Sequence, residues 1–184
     1  MILPAFAQSP QPRWIADVRT GCRISDLFPD PGETVNWTGA CLNGIAQGRG
    51  VLEWFQNGKP NGRYEGEVRE GKLDGQGVFT WPDGQRYEGE FRDGRRDGHG
   101  ILVDFNGNRY EGEWHNDKLN GPGVAVDIHT GARYEGEFRD DKAHGFGTFW
   151  RPSGTVYRGT WKDGCFKQGE EVAAVGKTPA DCGF

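Results

Sequence analysis

Apolar and polar residues alternate in short runs through the middle of this chain, and each run contains the same Tyr-x-Gly-x-apolar signature. In the first full copy, a period of two places Tyr64, Gly66 and Val68 on one face of a strand and charged residues on the other. The signature recurs at spacings of 23, 23, 24 and 23 residues between successive tyrosines, which are Tyr64, Tyr87, Tyr110, Tyr134 and Tyr157. A fixed period in this range predicts a repeat protein, in which each unit buries its apolar surface on its neighbours.

A second strand is predicted in every unit, beyond the tyrosine signature. In the first copy Gly75 and Gly77 precede the apolar pair Val78-Phe79, and the dipeptide Asp83-Gly84 closes the unit. Asp-Gly and Asn-Gly between apolar runs predict type I′ hairpin turns, whose two central residues both need positive φ. The strand glycines allow neighbouring aromatic rings to lie over the backbone. We therefore predict an all-β fold, an elongated single antiparallel sheet of stacked β-hairpin repeats.

The repeats are predicted to span residues 37–169. Trp37-Thr38-Gly39-Ala40-Cys41 begins the first unit, with Trp37 in the tyrosine column and Cys41 in the inward-facing apolar column. The last unit is predicted to be a half-repeat that has lost its second strand. The predicted units are 37–63, 64–86, 87–109, 110–133, 134–156 and 157–169. Residues 8–36 and 170–184 are predicted to cap the two ends, because solenoids need caps and open sheet edges invite aggregation.

Four cysteines flank the regular part of the chain in two pairs, and they allow three connectivities. The most local pairing is Cys22 with Cys41 and Cys165 with Cys182, with 18 and 16 residues between partners. Zinc sites of the C-x₂₋₄-C type are absent from the sequence. We interpret the cysteines as two disulfides at the two ends of the sheet, which indicates an oxidising compartment.

The N-terminal segment also indicates export. Residues 2–8 resemble the end of a signal peptide, with Ala5-Phe6-Ala7 as an A-x-A cleavage site, so residues 1–7 are interpreted as its remnant. The alternative interpretation is a tail rich in alanine and proline.

The run Tyr-Glu-Gly-Glu-Phe, followed by x-Gly-x-Gly and an Asp-Gly turn, resembles the MORN repeat family over about residues 37–169. The resemblance implies a curved all-β rod of a single sheet. It also implies a role in membrane recognition, protein scaffolding or dimer formation. Cys22 together with Trp37-x-Gly-x-Cys41 resembles exported bacterial members of the family, which implies a periplasmic or secreted bacterial protein.

Charge and motif patterns disfavour several classes of function. The net charge of −5 and a pI near 5.4 disfavour nucleic acid and anionic lipid as electrostatic partners. The glutamates of the signatures recur regularly beside arginines, which predicts a charge-balanced, solvated face and not a catalytic pair of carboxylates. The four histidines fall in different columns of the repeat and do not predict a metal site. We expect neither enzymatic activity nor a cofactor.

Large aromatic side chains are more numerous than a single-layer sheet can easily bury. Some are expected to form a contiguous patch, because such patches mark binding sites, although stacking between repeats is the alternative. The candidate binding face consists of Tyr64, Tyr87, Tyr110, Tyr134, Trp54, Trp81, Phe105 and Trp150. We therefore expect a scaffold in the cell envelope that binds a protein partner or a second copy of itself. The alternative is that the exposed aromatic face binds envelope lipid or glycan.

Overall fold

The computed structural model describes residues 13–27 and 30–184, whose strands form one open sheet of sixteen strands. The strands are β1 (Arg13–Ala16), β2 (Arg23–Asp26), β3 (Glu33–Trp37), β4 (Ala40–Leu42), β5 (Ile45–Gln56), β6 (Lys59–Arg69), β7 (Lys72–Thr80), β8 (Arg86–Arg92), β9 (Arg95–Val103), β10 (Arg109–His115), β11 (Lys118–Val126), β12 (Arg133–Arg139), β13 (Lys142–Trp150), β14 (Val156–Lys162), β15 (Cys165–Gln168) and β16 (Glu171–Ala174), and a short 3₁₀ helix covers Pro179–Cys182. From β5 to β16 each strand pairs antiparallel with the next. The predicted all-β hairpin fold is confirmed. The proposed export-signal remnant lies outside the described residues.

Each repeat is a hairpin whose two strands bring the glycines of the signature face to face. In the first full unit Tyr64 pairs with Phe79, Gly66 with Gly77 and Val68 with Leu73, and the register shifts by a bulge between Gly66 and Val68. Similar shifts recur in β8–β9, β10–β11 and β12–β13. The bulge occurs at the equivalent position of each of these hairpins, so it is a regular feature of the repeat.

The turn prediction was wrong about which turns are type I′. Within Asp83-Gly84 only Gly84 has positive φ, so this connection between units is not a type I′ turn. Positive φ at two successive residues occurs instead at the tight turn inside each hairpin, for example at Glu70-Gly71 and Asp93-Gly94. Asp93-Gly94 carries the same Asp-Gly signal as Asp83-Gly84, so the dipeptide alone does not show which turn of a unit is type I′.

The N-terminal segment folds over the first repeats. Strand β2 meets β5 in parallel through one residue pair, Arg23 and Ile45, while β3 and β4 both pair antiparallel with β5. The Cα atoms of Cys22 and Cys41 are 5.8 Å apart across the first disulfide. Cys22 is buried, but Cys41 is exposed, so the prediction that Cys41 points inward was wrong. Within the part of the chain that the structure describes, no earlier repeat lies beside β4 to cover Cys41.

Asp17 ties this segment to the sheet from a fully buried position. Its Oδ2 accepts a hydrogen bond of 2.7 Å from the backbone N–H of Trp37, and its Oδ1 accepts bonds from the N–H groups of Arg19 and Thr20. Burial raises the pKa of Asp17, but these bonds outweigh it and lower the pKa to about 2.

The C-terminal end keeps a second strand, contrary to the predicted half-repeat. β15 is only four residues long, and it pairs Phe166 with Trp161 before β16 adds a further strand. The second disulfide joins Cys165 of β15 to Cys182 of the 3₁₀ helix, with Cα atoms 5.8 Å apart. Within residues 13–27 and 30–184, no helix has the length and apolarity required to cross a bilayer.

Candidate binding surface

Three of the signature tyrosines are buried within the sheet's own packing. Tyr64, Tyr87 and Tyr134 are essentially inaccessible, and their hydroxyls donate hydrogen bonds of 2.9, 3.2 and 3.0 Å to the backbone carbonyls of the residues three positions later. Burial raises the pKa of each of these hydroxyls. A partner cannot reach these rings, so their assignment to an exposed binding face is corrected. Their role is intramolecular stacking.

The stacked rings form a ladder along this face of the sheet, which we call the tyrosine face. Phe91 lies edge-on to both Tyr64 and Tyr87, with ring centroids 5.1 and 5.2 Å apart, and Trp114 continues the series beyond Tyr87 at 5.3 Å. Tyr134 makes the same T-shaped contacts with its two aromatic neighbours. Such edge-to-face pairs stabilise the sheet beyond their buried area by about 0.5–1.5 kcal/mol each.

Among the four tyrosines of the candidate binding face Tyr110 is the exception, and the ladder is interrupted at its position. The other three rings lie over the glycines of their own unit, whereas a Cβ on Gly123 would meet the ring of Phe138, 3.3 Å away, before that of Tyr110. Tyr110 is only half-buried. Its cross-strand neighbour is Ala125, where the corresponding residue of the first unit is Phe79. The small side chain of Ala125 leaves space beside Tyr110.

That space opens into a cavity of about 560 Å³, which we call the C-terminal groove. Tyr110 and Ala125 contribute apolar surface to it, the buried side chains of Tyr134 and Phe149 also border it, and Val175 from the segment after β16 lines it as well. Polar side chains lie at the margins of this apolar surface. They include Asn108, Asp127, Asp141, Lys142, Asp163 and Lys177.

A second cavity of about 550 Å³ lies at the other end of the tyrosine face, and we call it the N-terminal groove. Its aromatic surface includes Trp54, Phe79 and Trp81, which contact one another with centroid separations of 5.3 and 4.4 Å. The N-terminal segment supplies the facing wall. The Trp54 indole N–H donates a 2.9 Å hydrogen bond to Asp26 Oδ2 of this wall.

Comparison with known families agrees with this repeat geometry. Residues 64–86, 87–109, 110–126 and 134–156 match the model of the MORN repeat. These four segments are therefore similar to MORN repeats. MORN repeats are commonly involved in interactions with proteins or membrane lipids. A sequence comparison with curated proteins gave no match.

The hairpin geometry extends beyond the matched MORN repeats on both sides. Trp37 lies against Gly39 and Gly50 in the way that Tyr64 lies against its own glycines, and the β14–β15 hairpin continues the sheet after residue 156. The sequence therefore diverges from the MORN pattern at the ends while the backbone continues it.

Four of the eight predicted residues lie outside both grooves, namely the buried Tyr64 and Tyr87 together with Phe105 and Trp150. Phe105 is 64% exposed at the turn between β9 and β10. Trp150 is half-buried, and the Arg133 guanidinium stands 4.8 Å from its ring centroid, within the range of a cation–π contact. The eight predicted residues therefore do not form one patch. Trp54, Trp81, Tyr110 and Tyr134 line the grooves.

Sequence reasoning missed two phenylalanines and three acidic residues that line the grooves. Phe79 and Phe149 occupy the same apolar column of the MORN repeat, and that regularity was the signal that could have identified them. The wall residues Asp26, Asp30 and Glu33 precede the repeats. The one sequence signal for them is that three acidic residues lie close together within the predicted N-terminal cap.

The opposite surface of the repeats carries the first glutamate of each Tyr-Glu-Gly-Glu signature and regular ion pairs, and we call it the glutamate face. Arginine and glutamate two residues apart on the first strand of a unit pair at 2.8, 2.7 and 2.6 Å in the first three copies. These side chains are well exposed, and such surface pairs contribute about 0–1 kcal/mol each. Among the described residues, no group of three or more histidine, cysteine, aspartate or glutamate side chains is placed to hold a metal ion.

Proposed function

We propose that this protein is a non-enzymatic scaffold whose tyrosine face binds an extended segment of a protein partner. The observation that carries the proposal is the pair of grooves on that face, each with apolar aromatic surface and polar margins. Apolar clefts with a few convergent polar groups are the usual form of a binding site. Their volumes of about 560 and 550 Å³ suit groups of several side chains.

The partner is expected to engage through side chains and not by adding a strand. Strands β6 to β13 are paired on both edges, so their backbone N–H and C=O groups are already used. A segment lying along the groove crosses the strands, and equivalent positions of successive repeats recur about every 10 Å. This spacing favours a partner with anchoring side chains at regular intervals.

The proposed location is the bacterial cell envelope or the exterior. Two cysteine pairs at disulfide distance are compatible with an oxidising compartment, and they support this proposal. Intact mass after thiol alkylation, on protein taken directly from its native cells, tests the disulfides. Alkylation of all four cysteines without prior reduction would contradict the proposed location.

Binding of envelope lipid or glycan is the second candidate, and exposed aromatic residues favour it. Phe105 and Phe146 are 64% and 57% exposed and could act as platforms. The net charge of −5 opposes attraction to anionic lipid. Co-sedimentation with phosphatidylglycerol vesicles and with peptidoglycan tests this candidate. Vesicle binding that survives high salt would favour the lipid interpretation over the scaffold.

Site-specific photo-crosslinking in native cells tests the scaffold directly. A benzoylphenylalanine replaces Tyr110, whose ring lines the C-terminal groove, and a matched variant carries it at Phe146 on the glutamate face. We expect one discrete protein adduct from position 110 and none at the same mass from position 146. Equal labelling from both positions, or none from position 110, would contradict the proposed binding face.

A further inference from the structure

The N-terminal groove combines aromatic rings with a wall of carboxylates. Asp26, Asp30 and Glu33 come from the N-terminal segment, and they line the same cavity as Trp54, Phe79 and Trp81. Asp117 lines it from the turn after β10. The groove therefore offers π-faces and negative charge in one space, which is the combination that attracts organic cations.

The hydrogen bonds described for Glu33 come from neutral donors. Glu33 accepts from the backbone N–H of Asp30 at 3.2 Å and from the Asn61 amide at 3.4 Å. Burial raises the pKa of Glu33, and the nearby charges of Asp26 and Asp30 raise it further. The wall is thus an acidic environment whose members repel one another. The glutamate face differs, because there Glu65, Glu88 and Glu111 each pair with the arginine two residues earlier.

Among the described residues that line this groove, Arg96 is the sole cation, and it is already paired with one of the four carboxylates, Asp117. Its guanidinium pairs with Asp117 at 3.3 Å and donates a 2.6 Å hydrogen bond to the carbonyl of Asp117. Four carboxylates against one guanidinium leave the lining with a net negative charge of three (4 − 1).

Arg96 also shows how a guanidinium lies on this face. Its Cζ lies 4.3 Å from the Trp114 ring centroid and 5.6 Å from that of Tyr87. Its Nε pairs with Oδ1 of Asp117. In the neighbouring units this column holds leucine, Leu73 and Leu119. The tyrosine face therefore accommodates a guanidinium that stacks on aromatic rings and pairs with an aspartate.

We propose that the N-terminal groove binds an arginine side chain of the partner segment, stacked on the partly exposed rings of Phe79 and Trp81 beside the buried Trp54 and paired with the wall carboxylates, which are Asp26, Asp30 and Glu33. This inference rests on the proposed scaffold function and names the chemistry of its partner. Arginine fits better than lysine, because its planar guanidinium stacks on rings and pairs bidentately with carboxylates.

Titration of the folded protein with an acetylated tetra-arginine peptide tests the proposal, with the tetra-citrulline peptide as neutral isostere. The readout is the indole N–H signals of Trp54 and Trp81 in two-dimensional NMR. We expect the arginine peptide to shift these signals and the citrulline peptide to leave them in place. A tetra-lysine peptide is expected to bind several-fold more weakly.

Two double variants matched in net charge locate the effect. Asp30→Asn with Glu33→Gln removes two charges from the wall, and Glu65→Gln with Glu88→Gln removes two from the glutamate face. We expect the first to weaken binding of the arginine peptide about tenfold or more and the second to leave it within about twofold. Equal losses in both variants, or equal binding of arginine and citrulline peptides, would overturn the proposal. Protein adducts from position 110 that persist in such a case would leave the scaffold function standing.

Discussion

The side chain of Tyr134 covers Gly136 of its own strand, with the hydroxyl oxygen 2.7 Å from the place where a Cβ of residue 136 would lie. Gly147, across the strand pair, places its Cα 2.5 Å from the same point. The repeating glycine pairs are therefore a steric requirement of the repeating tyrosines.

Gly136→Ala is expected to destabilise the protein by about 1–3 kcal/mol or more, because the new methyl meets backbone as well as the ring. Gly62→Ala is the matched control, since its Cβ would meet only the tip of the Phe79 ring at 3.3 Å. Urea denaturation of both variants measures the difference. Equal stability of the two variants would contradict this account of the glycine pairs.

Tyr134 and Tyr110 differ in the hydrogen bonding of their hydroxyl groups. Tyr134→Phe removes the 3.0 Å bond to the carbonyl of Glu137 and is expected to cost about 1 kcal/mol. Within the described residues the Tyr110 hydroxyl has no such bond, so Tyr110→Phe is expected to change the free energy of unfolding by less than about 0.5 kcal/mol. Denaturant melts of the two variants provide the measurement. A loss at position 110 as large as that at position 134 would show that the Tyr110 hydroxyl makes a hydrogen bond of similar strength.

The fold could be predicted from the sequence because each unit repeats one local pattern. Tyr64 and Tyr87 begin the same Tyr-Glu-Gly-Glu signature, and each makes an edge-to-face contact with the aromatic residue of the next unit, so one unit explains the next. The site could not be predicted to the same depth. Tyr110 carries an unaltered signature, and only Ala125 signals that its surroundings differ. The acidic wall of the N-terminal groove depends on how Asp26, Asp30 and Glu33 are placed beside Phe79 and Trp81, which lie far along the chain, and no local pattern encodes this placement.

High pH is expected to unfold the protein through its buried tyrosines. Burial raises the pKa of Tyr64, Tyr87 and Tyr134 above the value of about 10 for an exposed tyrosine. Their contribution to stability is therefore complete below pH 10 and is lost as pH rises through the raised values. Absorbance at 295 nm, followed together with circular dichroism, should show most tyrosine ionisation coinciding with unfolding. Full ionisation while the sheet remains intact would contradict the burial of these rings.

Reduction is expected to weaken the two ends of the sheet. The disulfides link residues separated by 19 and 17 positions, and the chain-entropy model gives each about 3 kcal/mol. Replacing Cys165 and Cys182 by alanine should also loosen the 3₁₀ helix without affecting the first repeats. Denaturant melts with and without reductant measure the loss. In a variant that lacks both pairs, reductant should have no effect.

Acid is expected to release the N-terminal segment through Asp17. The folded-state pKa of about 2 lies below the unfolded value of 3.8, so the folded protein binds fewer protons than the unfolded chain between these values. The stabilisation is present above pH 4 and is lost as pH falls toward 2, and its full size is on the order of 2 kcal/mol. Asp17→Asn should lower stability at pH 7, because the amide nitrogen cannot accept from the N–H of Trp37. It should also flatten the dependence of stability on pH between 4 and 2, as measured by thermal melts across that range. An unchanged slope in the variant would mean that other carboxylates hold the segment in place.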